Sequence, residues 1–292
     1  MTRQELIALI RRKRSYLCIG LDPDPLRIPP FLFNGHEDPV FEFNRRIIDA
    51  TIDLAVAYKP NLAFYESGGS KGWVSLEKTI DYLNNHPGGP VFTIADAKRG
   101  DIGNSASHYA RAFFEAMDFD AVTLSPYMGH DSILPFMAYK GKWAIVLALT
   151  SNPGALDFQS LQPQLPVLLE KFGIKTSYWK KLFEMVMEEG MKWGSVDNTM
   201  FVVGATQLDL LTFIRENFPD HFFLIPGVGA QGGNLTEVSK IALNKEIGIL
   251  VNLSRHIIFA SGDKDFDQRA RDAALVVQNE MEEILKAKKL VT

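Results

Sequence analysis

The segment FTIADAKRGDIGNS, residues 92–105, places Asp96, Lys98, Arg99 and Asp101 directly after an apolar run at 91–95, with Gly100 and Gly103 interrupting it. Gly-Gly-Pro at 88–90 bounds the run on its other side, so it reads as a short buried strand. Its carboxyl end then delivers charges of both signs into one small region. Residues i and i+2 share a face of a strand, so Asp96 and Lys98 point the same way as far as strand geometry persists. Asp101 falls beyond it, in a turn bracketed by glycines. Charged groups gathered at a strand end are costly unless they pair with each other or act on a ligand. Taken alone, the stretch fits either a reactive site or a solvated loop with incidental salt bridges.

Other apolar runs end in the same manner. The run at 16–22 stops at Asp22, and the one at 55–58 leads into Lys59. The run at 143–149 stops at Thr150 and Ser151. Two later segments have the chemistry of phosphate sites. PGVGAQGGN, 226–234, is a glycine-rich turn entering a helix, with Gly229, Gln231 and Gly232 at its centre. Bare backbone there can approach an anion, and a helix N-terminus adds partial positive charge. VNLSRHIIFA, 251–260, sets Arg255 just beyond an apolar run, where a guanidinium can grip phosphate through two nitrogens. Either segment alone reads as a turn; together they read as an anion grip.

The elements that must position these groups alternate. Strand-like runs fall at 16–22, 55–58, 91–97, 120–125, 143–149, 200–204, 222–226 and 247–252. Helical periodicity falls at 39–54, 75–85, 102–117 (with Asn104 or Ser105 as cap), 177–193, 206–217 and 234–244, with a terminal helix at about 2–14 and another at about 265–288. Residues 155–175 carry no clear period and suggest a mobile lid, as does the loop after Gln231. Eight strands alternating with helices predict an α/β fold, a single-domain (β/α)8 TIM barrel spanning 1–292. An open doubly wound sheet is the other topology with this alternation. The barrel fits the strand count, and its active sites are built from strand carboxyl ends. Phosphate groups in that fold sit after strands seven and eight.

Composition narrows the partners. The chain has 292 residues, 46% of them hydrophobic, and a net charge of −4, which argues against a nucleic-acid partner. No apolar run reaches the roughly 18 residues of a membrane span. The basic, amphipathic N-terminus lacks a signal-peptide core and reads as a surface helix. A single cysteine, Cys18, allows no internal disulfide; it lies within an apolar run as a small buried hydrophobe, consistent with a cytoplasmic protein. The six histidines show no paired ligand spacing, so no metal is expected; His130 follows the fourth strand and reads as a surface or capping residue. Neither a Rossmann fingerprint nor a P-loop is present.

DAKRGDIGNS resembles the D-x-K-x-x-D-I signature of the orotidine 5′-monophosphate decarboxylase family. LDPDP, KPNLAFYE, LTSNPGA, PGVGAQGG and NLSRHIIFA resemble that family's other blocks, in the family's order, from about residue 16 to 260. The KPNxAFYE and DAKRGDIG forms look most like its longer bacterial subgroup. The resemblance implies a cofactor-free decarboxylation of orotidine 5′-phosphate to UMP in pyrimidine synthesis, by a homodimer with shared active sites. Lys59, Asp96, Lys98 and Asp101 match the family's alternating charged network, in which the last aspartate comes from the partner subunit. Lys98 matches the proton donor to C6, and Asp22 and Lys59 match ribose contacts. Asp101 and Ile102 are implied to enter the neighbouring site, where Ser105, a threonine in many members, keeps a hydroxyl. Ser151 matches the group near the pyrimidine, and Gln231 and Arg255 match phosphate contacts. Ser254 stands where shorter members have glycine.

Two rivals remain. A magnesium-dependent sugar-phosphate lyase of the same suprafamily wants an acidic ligand near strand two, where Lys59 stands. A phosphosugar-binding regulator on an inactive barrel would keep the phosphate loops and lose charged members of the network, all four of which are present here.

Overall fold

The computed structural model describes residues 1–162, 180–229 and 232–292. Eight parallel strands close into a barrel in sequence order, with β1 paired to both β2 and β8. They are β1 (Leu17–Leu21), β2 (Ala57–Pro60), β3 (Phe92–Arg99), β4 (Ala121–Leu124), β5 (Trp143–Leu149), β6 (Thr199–Val203), β7 (Phe222–Ile225) and β8 (Ile249–Leu253). Parallel strands covered on the outside by helices are buried on both faces, which is why they read as continuous apolar runs. All residues of β1, β2, β4, β6 and β7 are buried. The predicted (β/α)8 TIM barrel is therefore the observed fold, and the open doubly wound sheet is not.

The helices fall close to their predicted spans, with three corrections. The helix expected at 75–85 begins at Gly69 and runs to Asn84. Its glycine-rich start precedes the expected span, and Gly72 is required inside it: a Cβ there would stand 1.8 Å from the Tyr65 carbonyl. A short helix, Leu62–Glu66, precedes it and is capped by the Asn61 side chain. The helix after β3, Gly103–Arg111, is flanked by Ile102 with no side-chain cap, so Asn104 and Ser105 lie inside it rather than capping it. Its last turn, Ala112–Ala116, winds as a π-helix. The expected helix at 177–193 is observed as Leu182–Trp193, and residues 177–179 lie outside the described ones.

One end of the barrel is closed. The N-terminal helix Arg3–Lys13 packs under it. The buried Arg3 guanidinium donates to the carbonyls of Val196 and Asp220 at 2.8 and 2.7 Å, and Lys13 Nζ donates to those of Ile52 and Ala55 at 2.5 and 2.7 Å. These carbonyls lie in the chain just before β6, β7 and β2. Orphan peptide groups at the strand starts are thus satisfied by the helix that covers them. The C-terminal helix Phe266–Ala287 packs on Pro39–Thr51. Phe43 stacks on Phe259 and Phe266 at 5.4 and 5.1 Å, a contact worth about 0.5–1.5 kcal/mol per pair beyond burial. With the strand starts sealed, the carboxyl ends are left to carry chemistry.

Candidate active site

Lys59, at the end of β2, is buried, and its ammonium donates to Asp96 Oδ2 at 2.6 Å. The other Asp96 oxygen, Oδ1, accepts from Lys98 Nζ at 2.5 Å and from Thr123 Oγ1 at 3.2 Å. One buried carboxylate therefore holds two lysines. Asp96 reaches this position because β3 runs on past Asn61, which bridges to it beyond β2.

Lys98 is presented by an irregularity. The β3–β4 register shifts between Ala95 and Arg99, so that four steps on β3 oppose two on β4. Within the shift Lys98 takes φ 48°, a left-handed conformation that costs an L-residue roughly 1–2 kcal/mol. Its N–H is received by Thr123 Oγ1 at 2.9 Å, and the Arg99 carbonyl accepts from Ser125 N–H at 2.7 Å. Such strain persists only where neighbours over-determine it, and it gathers at functional sites. The bulge also explains how Asp96 and Lys98 come to meet although strand alternation is broken between them.

The charges set one another's titration. Burial opposes ionisation of Asp96, but the positive charges of Lys59 and Lys98 outweigh it and hold the carboxyl well below the usual carboxylate range. Burial likewise works against the Lys59 ammonium, and Asp96, then Asp22, outweigh it and raise its pKa. Cys18, buried beneath this cluster with its Sγ 3.6 Å from Asn252 Oδ1, is pushed up to about 12 by burial and stays a thiol. It is the inert small hydrophobe expected of it.

Beside the triad, Asp22, Lys59, Asn61, Gly227, Ser254 and Arg255 are among the residues lining a cavity of about 220 Å³ between the ends of β1, β2, β7 and β8. Asp22 Oδ1 is buried there with no hydrogen-bond partner among the described residues. A buried acceptor left unpaired is costly, and a ligand hydroxyl would satisfy it. Arg255 opens a short turn after β8, with its side chain exposed. Ser254 before it has φ −118°, outside the left-handed region that would call for glycine. Its hydroxyl lies over Gly20, where a Cβ would come within 1.8 Å.

The loop after β7 turns through Gly227, Gly229 and Gly232 at φ 94°, 74° and 89°. The amides of Gly229 and Gly232 donate within the loop, to the Gly233 and Gly229 carbonyls at 2.9 and 3.0 Å. In this conformation those two N–H groups are already engaged within the loop. Gln231, the other candidate there, lies outside the described residues, as does most of the candidate lid at 155–175; Pro153–Asp157 forms a 3-10 turn.

The structure thus brings together Asp22, Lys59, Asp96, Lys98 and Arg255. It does not bring Asp101, Ile102, Ser105 or Ser151 into the triad. Asp101 Oδ1 accepts from the Ile102 amide at 2.8 Å and forms no ion pair among the described residues; Ile102 is 53% exposed. Ser151 lies half-buried after β5, packed so that a Cβ on Gly204 would meet its backbone at 2.9 Å. His130 is on the surface beside Asp131. Sequence reasoning missed Thr123, whose only signal was a hydroxyl in an otherwise apolar strand, and it missed the contacts of Arg99 and Glu66.

Comparison with known proteins bears on this geometry. Residues 15–266 match the family model described as orotidine 5′-phosphate decarboxylase / HUMPS family. The chain is 52% identical to orotidine 5′-phosphate decarboxylase of Flavobacterium johnsoniae, over 99% of this chain and all of that one. It is 49% identical to the enzyme of that name from Bacteroides fragilis, over 98% and 99% of the two chains. A solved structure of Leishmania donovani OMP decarboxylase superposes with TM-score 0.76 at 34% identity, covering 97% of this chain and 99% of that one. With a charged triad and a cavity of about 220 Å³ at the mouth of a closed barrel, and with this similarity along nearly its whole length, the chain belongs to the orotidine 5′-phosphate decarboxylase / HUMPS family.

Proposed function

We propose that this chain decarboxylates orotidine 5′-phosphate to UMP without a cofactor, Lys98 protonating the C6 carbanion. Family membership makes it an orotidine 5′-phosphate decarboxylase, a carboxy-lyase of pyrimidine biosynthesis. The observation that carries the mechanism is the Asp96 carboxylate held between two ammonium groups, Lys59 at 2.6 Å and Lys98 at 2.5 Å.

Loss of CO2 from C6 leaves an sp2 carbanion with no adjacent carbonyl to take up its charge. Enzymes lower barriers by about 8–23 kcal/mol, and this reaction calls on the upper part of that range. A fixed ammonium beside the carbon stabilises the growing charge and then supplies the proton. Lys98 fits this role because its side chain is half-exposed at the mouth while its backbone is pinned. Asp96 lies where it would repel the substrate carboxylate in the ground state and less so once CO2 departs. The enclosed Lys59 keeps Asp96 ionised and, with Asp22, serves the ribose hydroxyls. Arg255 and the loop at 227–233 grip the phosphate, whose binding energy is spent at the distant reacting carbon. Asp101 and Ile102, which leave their own chain's triad, complete a partner subunit's site in a homodimer. Ser105 supports the ribose across that interface, and Ser151 and Gln231 contact pyrimidine and phosphate.

The test is spectroscopic. Orotidine 5′-phosphate added to chelator-treated protein should lose its ultraviolet absorbance as UMP forms. Turnover that needs added magnesium, or that acts on a sugar phosphate instead, would replace this reading with the lyase of the wider family. Lys59 at the end of β2, where that lyase wants an acid, favours the first.

A further inference from the structure

We infer that Arg99 and Glu66 form a positioning clamp that holds the Lys98 backbone in its reactive geometry; the inference rests on the proposed role of Lys98. Neither residue lines the cavity, and neither side chain bonds to a side chain of the triad. Arg99 follows Lys98 directly, and its guanidinium turns back to donate to the Ala97 carbonyl at 2.9 Å. The same guanidinium pairs with the Glu66 carboxylate. Tyr109 and Phe113, on the helix after β3 and the turn that continues it, lie beside it, with ring centres 5.3 and 5.7 Å away.

Three consequences follow. First, the residues on either side of Lys98 are both fixed: Ala97 through its carbonyl, Arg99 through its side chain and through the Ser125 amide. A lysine at φ 48° relaxes unless its neighbours forbid it, and the guanidinium is the contact that grips the strand on the Ala97 side. Second, Glu66 ends the short helix that begins three residues after Lys59. The pair therefore cross-links the segment bearing Lys59 to the segment bearing Lys98, and so sets the spacing of the two ammonium groups about Asp96. Third, the two aromatic rings and the forked donor set suit arginine and not lysine, because one planar group must serve a carbonyl, a carboxylate and ring faces at once. Arg99 Nε remains buried with no partner among the described residues, so the side chain is held there at a cost.

The experiment compares Arg99→Met, Arg99→Lys and Glu66→Gln with wild type by steady-state decarboxylation, UMP binding and thermal unfolding. Misplacing a reacting group by about 1 Å costs up to about a hundredfold in rate, so Arg99→Met should lower kcat by about 30-fold or more with KM and UMP affinity within about threefold. Glu66→Gln should lower kcat by about tenfold, and the double variant should be no slower than Arg99→Met alone, as for two residues acting through one contact. Arg99→Lys should recover only part of the loss. If Arg99→Met does not fold, Glu66→Gln decides alone: reduced kcat at unchanged KM supports the clamp, and unchanged kcat overturns it. Loss of stability with unchanged kcat per folded molecule, or a rise in KM alone, also overturns it. A wild-type protein that fails to decarboxylate would overturn the functional reading instead.

Discussion

Lys98 donates to Asp96 Oδ1 at 2.5 Å from a backbone φ of 48°, so the half-exposed ammonium is aimed by a strained peptide rather than by a regular strand. Strain of this kind is worth keeping only if the position of the ammonium matters more than local stability.

The first prediction tests that priority. Lys98→Ala removes the proposed proton donor and keeps the Cβ, so the left-handed strain at this position is left in place. Turnover should fall below detection while UMP binds with an affinity within a few-fold of wild type, measured by calorimetry. A variant that still turns over near the wild-type rate would remove Lys98 from the chemistry.

Asp96 makes a different prediction, one of stability. Lys59 and Asp96 side chains are only 6% and 10% exposed. Breaking a buried pair leaves an uncompensated charge and costs about 3–5 kcal/mol, so Asp96→Asn should destabilise the protein on that order at pH 7. The folded-state pKa of Asp96 is depressed, which fixes the sign with pH. Its contribution is fully present above the unfolded carboxylate value of about 4 and is lost as pH falls toward the depressed native value. Urea unfolding of both proteins should therefore show their gap narrowing below about pH 4. A gap constant from pH 7 to 3 would contradict the assignment.

Arg255 separates phosphate recognition from base recognition. Charge-assisted hydrogen bonds contribute about 1.5–3 kcal/mol each, so Arg255→Ala should weaken UMP by roughly 10- to 100-fold and leave uridine unchanged. Equal weakening of both ligands would place Arg255 elsewhere than on the phosphate.

How far these residues were legible in sequence depended on the range of the forces that place them. Trp143–Leu149 is predicted to the residue, because an apolar run bounded by turn residues has one reading. Lys59 and Asp22 were legible because each interrupts such a run at its carboxyl end. The left-handed peptide at Lys98 was not. No glycine marks it, and it is imposed by a register shift against β4 and by the Thr123 hydroxyl 25 residues away. The start of Gly69–Asn84 was hidden for a related reason: its glycines carry no helical periodicity, while Gly72 answers to a carbonyl packed on it from Tyr65. Asn104 and Ser105 read as caps by residue type, yet Asp101 already receives the Ile102 amide and the turn is carried by Gly103 at φ 56°. The Arg99–Glu66 pair spans 33 residues and two connections, and no local pattern announces it.

The last prediction concerns the partner subunit. Asp101 accepts from the Ile102 amide and forms no ion pair with its own chain's triad among the described residues, and Ile102 beside it is 53% exposed, so both are open to a partner. In a twofold dimer with shared sites, Asp101 of each subunit would complete the cluster around Lys98 of the other. Lys98→Ala and Asp101→Ala homodimers should then both be inactive. A hybrid dimer holds one site with both defects and one with neither, because the intact Lys98 and the intact Asp101 come from different chains. Random exchange makes half the dimers hybrid, so a one-to-one mixture should regain about a quarter of the wild-type rate per site. Recovery should grow on the timescale of subunit exchange. Activity no greater than the sum of the separate variants would confine each site to a single chain.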